Sequence, residues 1–190
     1  RTMIHGYRTV SLQSDGQYAI DPTAVLSSNV VTAANGDKTY TLKLNPALVY
    51  SDGTPITARD YAFSALLLSC PQAAEMGLMT TSMSHLTGWA AFAAGEAQAF
   101  SGVRVRAEDT LELTISGENL PYYYELKMID LTPYPIAVIA PGCEVRDDGK
   151  GAYLSGDFTA ELLRDTLLTK NGGYRTHPTV VSGPYVLDAY

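Results

Sequence analysis

Cysteine, histidine, tryptophan and positive charge are all scarce in these 190 residues. The two cysteines, Cys70 and Cys143, cannot make a tetrahedral metal site by themselves. In an exported protein they could form one disulfide; otherwise they are two partly buried thiols. None of His5, His85 and His177 has a second His, a Cys or a carboxylate at metal-ligand spacing, so each reads as a surface or capping residue. No apolar run approaches the roughly 18 residues of a membrane-spanning helix. The opening, Arg1-Thr2-Met3-Ile4, carries no signal-peptide pattern. The chain ends at Asp188-Ala189-Tyr190, just after a strand-like run, and both ends read as cuts inside a longer protein. Thirteen Lys and Arg face 20 Asp and Glu, for a net charge of -7 and a pI near 4.8. That balance argues against a nucleic-acid partner, whose phosphates need basic patches, and against an anionic membrane surface. Charged residues are only 17% and hydrophobic residues 46%, so the chain folds. Its length suits one domain with a sizeable core, or one domain and part of another.

Catalytic patterns are absent too. Gly142 to Lys150 has the wrong glycine-to-lysine spacing for a phosphate loop, and Gly151 stands where such a loop needs Ser or Thr. Asp147-Asp148-Gly149 lacks the alternating oxygen ligands of a calcium loop. There is no Gly-x-Ser-x-Gly elbow. Asp52 and Asp60 are accounted for by turn and cap roles. The sequence therefore names no catalytic residue, no metal ligand and no cofactor site, and it is read as non-enzymatic. It singles out no ligand contact either.

What is present is clearest from Thr39 to Ser69. Tyr40, Leu42 and Leu44 alternate with Thr39, Thr41 and Lys43, the period of a strand with one buried face. Ser51-Asp52-Gly53-Thr54-Pro55 is a turn. Thr57 can cap a helix, with Asp60 at capping-box spacing and in the first turn, where the dipole favours an acid. From Ala58 to Leu68 only Arg59, Asp60 and Ser64 are strongly polar, so the helix is buried on most sides. Pro71 ends it.

Elsewhere the pattern predicts a strand over 4–12, a turn at 13–16, a short returning strand at 17–20, and a strand at 26–33 paired with 39–45 through Asn35-Gly36-Asp37. Residues 72–83 read as a loop holding three of the five methionines, which fill core gaps or face a ligand. A helix is expected over 85–100, with Trp89, Phe92 and Ala93 on one face. A second hairpin pairs 103–106 with 111–115 through Ala107-Glu108-Asp109. Another helix is expected over 119–130, opened by Pro121. It would point Tyr122, Tyr123 and Tyr124 in different directions, half buried with wet hydroxyls and sharing no stacking face. Residues 142–157 read as a glycine-rich loop, followed by a helix capped by Asp157 with Phe158, Leu162, Leu163 and Leu167 on one face. Residues 174–182 lead to a closing strand. The 13 tyrosines, against four phenylalanines, suit either peptide or sugar recognition or rim packing. The fold class is α+β, with antiparallel hairpins packed on helices.

The turn and helix, Tyr50-Ser51-Asp52-Gly53-Thr54-Pro55-Ile56-Thr57-Ala58-Arg59-Asp60-Tyr61-Ala62-Phe63-Ser64, resemble the signature of bacterial extracellular solute-binding proteins of the peptide/nickel class, family 5. That signature is a Phe-Ser-Asp-Gly-Thr-Pro-like turn followed by Thr-Ala-x-Asp-Val-x-x-Ser. Tyr50 stands for the common Phe or Trp, and Tyr61 for the common Val. Asp37 to Leu44 is similar to the family's hairpin entering the turn, and Ser182-Gly183-Pro184-Tyr185-Val186-Leu187 to its Gly-Pro-Tyr strand. The stretch from about Pro141 to Pro178 departs from the pattern.

The resemblance implies part of the first lobe of a two-lobed, periplasmic-binding-protein-like clamp. In it, 1–140 form a mixed subdomain, 141–178 a loop-and-helix insertion, and 179–190 a strand returning to the lobe core. It implies a substrate-binding component of an ABC transporter, extracellular or periplasmic and anchored as a lipoprotein. The partners would be a peptide or other small solute (nickel, haem and sugar remain open), a membrane permease, and a second lobe missing from this chain. The competing readings are a sensor or adhesion relative, or the non-catalytic part of a larger hydrolase.

Overall fold

The computed structural model describes residues 4–170 and 172–185. Its centre is a four-stranded antiparallel sheet in the order β3-β4-β6-β5, with β3 at Val25–Thr32, β4 at Lys38–Leu44, β5 at Val103–Ala107 and β6 at Thr110–Ile115. Both predicted hairpins are therefore present. Alternation turns Tyr40, Leu42 and Leu44 of β4 and Leu111, Leu113 and Ile115 of β6 to the core. The register sets Leu42 opposite Leu111 and Tyr40 opposite Leu113. The edge strand β3 is exposed beyond Val25.

Against this sheet lies α1 (Ala58–Leu67). The expected capping box is complete. The Asp60 carboxylate accepts from the Thr57 amide at 2.8 Å, and the Thr57 hydroxyl oxygen caps the Arg59 amide at 3.2 Å. Helix α1 packs on β5 and β6 on one side and on a third hairpin, β7 (Glu144–Asp147) with β8 (Ala152–Ser155), on another. A separate short hairpin, β1 (Val10–Leu12) with β2 (Tyr18–Ile20), stands at the start of the chain. The first strand is shorter than the predicted 4–12 because Tyr7 takes a left-handed φ of 53°, which no strand accommodates.

Further expectations are corrected. The helix predicted over 85–100 shrinks to α3 (Trp89–Ala93), because Gly88 and Gly95 both adopt positive φ, at 77° and 74°. A Cβ on Gly88 would lie 2.2 Å from the Ser101 hydroxyl, which would have to turn aside, in addition to the strain of the positive φ. The helix predicted over 119–130 is absent. Leu120 is extended before Pro121, as pre-proline residues prefer, and only 3₁₀ turns form, at Gly117–Asn119 and Glu125–Ile129. The predicted loop over 142–157 contains the β7–β8 hairpin. Its turn is built by carboxylates: Asp148 accepts from the amides of Lys150 and Gly151 at 2.7 and 3.0 Å. The helix after it is capped by Thr159, not Asp157, and α5 (Ala160–Leu163) soon widens into a π turn over Arg164–Leu168. Leu163 and Leu167 still reach the core. Pro71 both follows α1 and opens a short α2 (Pro71–Glu75) inside the predicted loop; α4 spans Ile136–Ile139. The closing strand expected at 182–187 falls partly on 186–190, outside the described residues, and 179–185 hold no strand.

The β7–β8 hairpin covers the edge of β5. The Asp147 carboxylate accepts from Arg104 Nε at 2.8 Å and from the Val105 amide at 2.9 Å, so a side chain substitutes for a neighbouring strand. Burial pushes the Asp147 carboxyl up, but Arg104 and the amides of Gly149 and Val105 outweigh it and hold it low. Asp147→Ala is expected to lower stability by about 1–2 kcal/mol and to speed hydrogen exchange at the Val105 amide. Unchanged exchange there would refute the edge-covering role.

Candidate functional site

Two surface concavities stand out. One, of about 400 Å³, lies beside the β1–β2 hairpin and is lined by Tyr7, Arg8, Leu12, Tyr18, Asp21 and Lys127 among others. The other, of about 610 Å³, lies between Arg59 of α1, Ile136 and Ala137 of α4, and residues 141–146.

The first is built on fixed supports. Tyr61, fully buried in α1, donates its hydroxyl to the Tyr7 carbonyl at 2.6 Å and so pins the left-handed turn from the core. Burial pushes the Tyr61 phenol up, with Asp60 adding to it. Thr9, also fully buried, donates to the Ile129 carbonyl at 2.6 Å and accepts from the Leu131 amide at 2.9 Å. Those bonds join the hairpin to 129–131 and set Arg8 beside Asp130. Arg8 grips that carboxylate with two nitrogens, and Lys127 donates to the same carboxylate. The Asp130 side chain is only 1% exposed, so its hydrogen bonds come from these two cations rather than from water. The hydrogen bonds that Arg8 donates to Asp130 raise its pKa against the opposing cost of burial.

An aromatic wall continues from this cleft. Tyr18 meets Tyr124 edge-on at 5.6 Å, and Tyr124 in turn meets Tyr123 at 4.7 Å and Tyr122 at 6.4 Å. The three consecutive tyrosines are thus a cluster of edge contacts, exposed by 49%, 75% and 41%: Tyr122 and Tyr124 are half buried as expected, and Tyr123 stands further out. The following turn is tied to the sheet by Glu125, which accepts from Lys38 at 2.7 and 2.9 Å and from the Tyr40 hydroxyl.

The residues weighed from sequence have structural partners. Asp52 accepts from the Thr54 amide and hydroxyl at 3.0 and 2.7 Å, which hold its carboxyl low. Asp60 is spent on its cap, and burial raises its carboxyl. His85 bonds the Met128 carbonyl, and burial lowers its pKa. His177 bonds Thr176 at 2.9 Å, and His5 meets the Tyr134 ring edge-on at 5.7 Å. Met83 is buried, while Met76 and Met79 pack on the core, so the methionines fill gaps. Cys70 and Cys143 are free, buried thiols. Among the described residues no group of three or more His, Cys, Asp and Glu could hold a metal ion, and no helix is long and apolar enough to cross a membrane. Sequence reasoning missed the Arg8–Asp130–Lys127 group. Arg8 and Asp130 lie 122 positions apart, and no local pattern announces such a pair.

The sequence profile described as bacterial extracellular solute-binding proteins, family 5 middle, matches residues 22–190. The chain is 33% identical over 153 residues to the periplasmic oligopeptide-binding protein of Salmonella typhimurium, covering 80% of this chain and 25% of that protein. It is 30% identical over 128 residues to a probable deoxycholate-binding periplasmic protein of Escherichia coli, covering 66% of this chain and 23% of that one. The chain thus spans about a quarter of the length of the curated relatives it matches. Its fold is similar to the substrate-binding domain of an oligopeptide ABC transporter from Bacillus anthracis, with a TM-score of 0.63 and 20% identity over 99% of this chain and 30% of that one. The mixed helix and antiparallel-sheet architecture is therefore part of the periplasmic-binding-protein fold, and the chain belongs to the bacterial extracellular solute-binding proteins of family 5.

Proposed function

We propose that this chain is part of the first lobe of a non-enzymatic receptor that captures oligopeptides, or a similar small solute, outside the cytoplasm. The receptor passes its cargo to the permease of an ABC importer. The observation that carries this reading is the 33% identity to an oligopeptide-binding protein over 80% of the chain. In the same reading, residues 1–140 form a mixed subdomain of the lobe, 141–178 an insertion on it, and 179–190 the return to its core. A second lobe, absent from these 190 residues, closes over the ligand, and a lipoprotein anchor holds the receptor at the membrane. Peptide backbone bonds and water-filled side-chain pockets give such a receptor broad specificity, because water adapts where side chains differ.

Pools of di- to pentapeptides, titrated against this chain and against the full-length product, test the proposal. The readouts are the emission of Trp89, the only tryptophan, and the melting temperature. A saturable response of the full-length protein, with little from the chain alone, is expected. A full-length protein silent to every pool would refute peptide capture.

A further inference from the structure

We infer that the cleft beside the first hairpin binds a small molecule carrying a carboxylate next to an aromatic ring. The inference does not rest on peptide capture; it follows from the side chains of the cleft. Two cations, Arg8 and Lys127, are drawn to one buried carboxylate, Asp130. Asp21 also lines the cleft, so the formal charges balance, but the two cationic side chains stay 37% and 45% exposed at its surface. Both have donors to spare. Arg8 commits Nε and one terminal nitrogen out of a five-donor fork, and Lys127 commits one bond of three. The other carboxylate lining the cleft, Asp21, accepts from the Thr23 amide at 2.9 Å. It forms no ion pair with Arg8 or Lys127, so it does not take up their spare donors.

The aromatic half adjoins these donors. The Lys127 ammonium lies 5.8 Å from the centroid of the Tyr18 ring, and Tyr18 leads edge-on into Tyr124 and the exposed cluster. A ligand ring can meet this wall edge-on or offset while its carboxylate reaches both cations, a charge-assisted bond of the stronger kind. The walls are set in advance. The Tyr7 turn is held by Tyr61, and Arg8 is held by its fork on Asp130. Strained, over-determined backbone of this kind gathers at ligand sites. A volume of about 400 Å³ admits one amino-acid-sized molecule.

N-acetyltyrosine is the probe, titrated into the 190-residue chain and followed by calorimetry and by the NMR shifts of Tyr18 and Lys127. Its amide removes the charge, and N-acetylalanine removes the ring. The expected result is saturable binding that weakens about tenfold or more for the amide and about tenfold for the Lys127→Gln variant. N-acetylalanine should also bind several-fold more weakly than N-acetyltyrosine, and Tyr18→Leu should remove that preference. Lys127→Gln leaves Arg8 on Asp130, and a circular-dichroism melt confirms that it is folded. Equal binding of acid and amide, an unchanged Lys127→Gln variant, or no saturation at all would overturn the inference. A failure here with peptide capture intact in the full-length protein sinks only the cleft. The reverse pattern sinks only the peptide reading.

Discussion

Phe63→Ala is expected to lower the unfolding free energy by about 3–5 kcal/mol. Phe63 sits fully buried in α1, and nine of the helix's ten residues, Phe63 among them, are buried. Only Arg59 faces solvent, so the helix is surrounded by the sheet and the β7–β8 hairpin. Truncating the ring opens a cavity that the neighbouring backbone cannot close, because strands on two sides are held by their own ladders. The lost transfer energy and the cavity then add. Urea titration should show a lower midpoint with an unchanged slope. Arg59→Ala, on the exposed face of the same helix, should stay within about 0.5 kcal/mol. A Phe63→Ala loss below about 1.5 kcal/mol would mean that the helix is not the centre of the core.

How much of this was legible in the sequence depends on the range of the interactions. The capping box of Thr57 and Asp60, the turn at Asp52 and the alternation of Tyr40, Leu42 and Leu44 are all settled within a few residues, and they stand as read. Where two local preferences competed, tertiary context decided. The alanines of 90–94 favour helix, but Gly88 and Gly95 confine it, and the close approach of Ser101 explains the first of them. Around 122–124 a first-turn proline allowed a helix, yet extended Leu120 and the packing of Tyr124 between Tyr18 and its own neighbours give a turn. The β7–β8 hairpin looked like a loop because glycine and charge dominate it. Its buried anchors, Val145 and Ala152, are recognisable only once α1 lies over them. The cleft was illegible for a simpler reason: Arg8, Lys127 and Asp130 become a group only when the chain returns to its first hairpin.

Thr9→Val is expected to cost about 2–4 kcal/mol, although the side chain keeps its shape. The Thr9 hydroxyl stands at 0% exposure, donating to Ile129 and accepting from Leu131 at the same time. A methyl in its place leaves the Leu131 amide and the Ile129 carbonyl without that partner inside the protein, where water does not replace it. The Thr9 amide still donates to the Leu131 carbonyl at 3.0 Å, and the Asp21 amide to the Thr9 carbonyl at 3.0 Å, so the hairpin stays attached, but more loosely. The melting temperature should fall by about 5–10 °C, and exchange of the Leu131 amide should accelerate. Thr9→Ser restores the hydroxyl and should recover most of the loss. Arg8 is the residue next to Thr9, and Asp130 lies between the two residues that Thr9 bonds. A loosened seam therefore lets the cation pair drift, and N-acetyltyrosine affinity should fall in Thr9→Val and return in Thr9→Ser. A Thr9→Val protein as stable as the parent would show that the hairpin is held by its backbone bonds alone, and that the cleft takes its rigidity from Tyr61 rather than from Thr9.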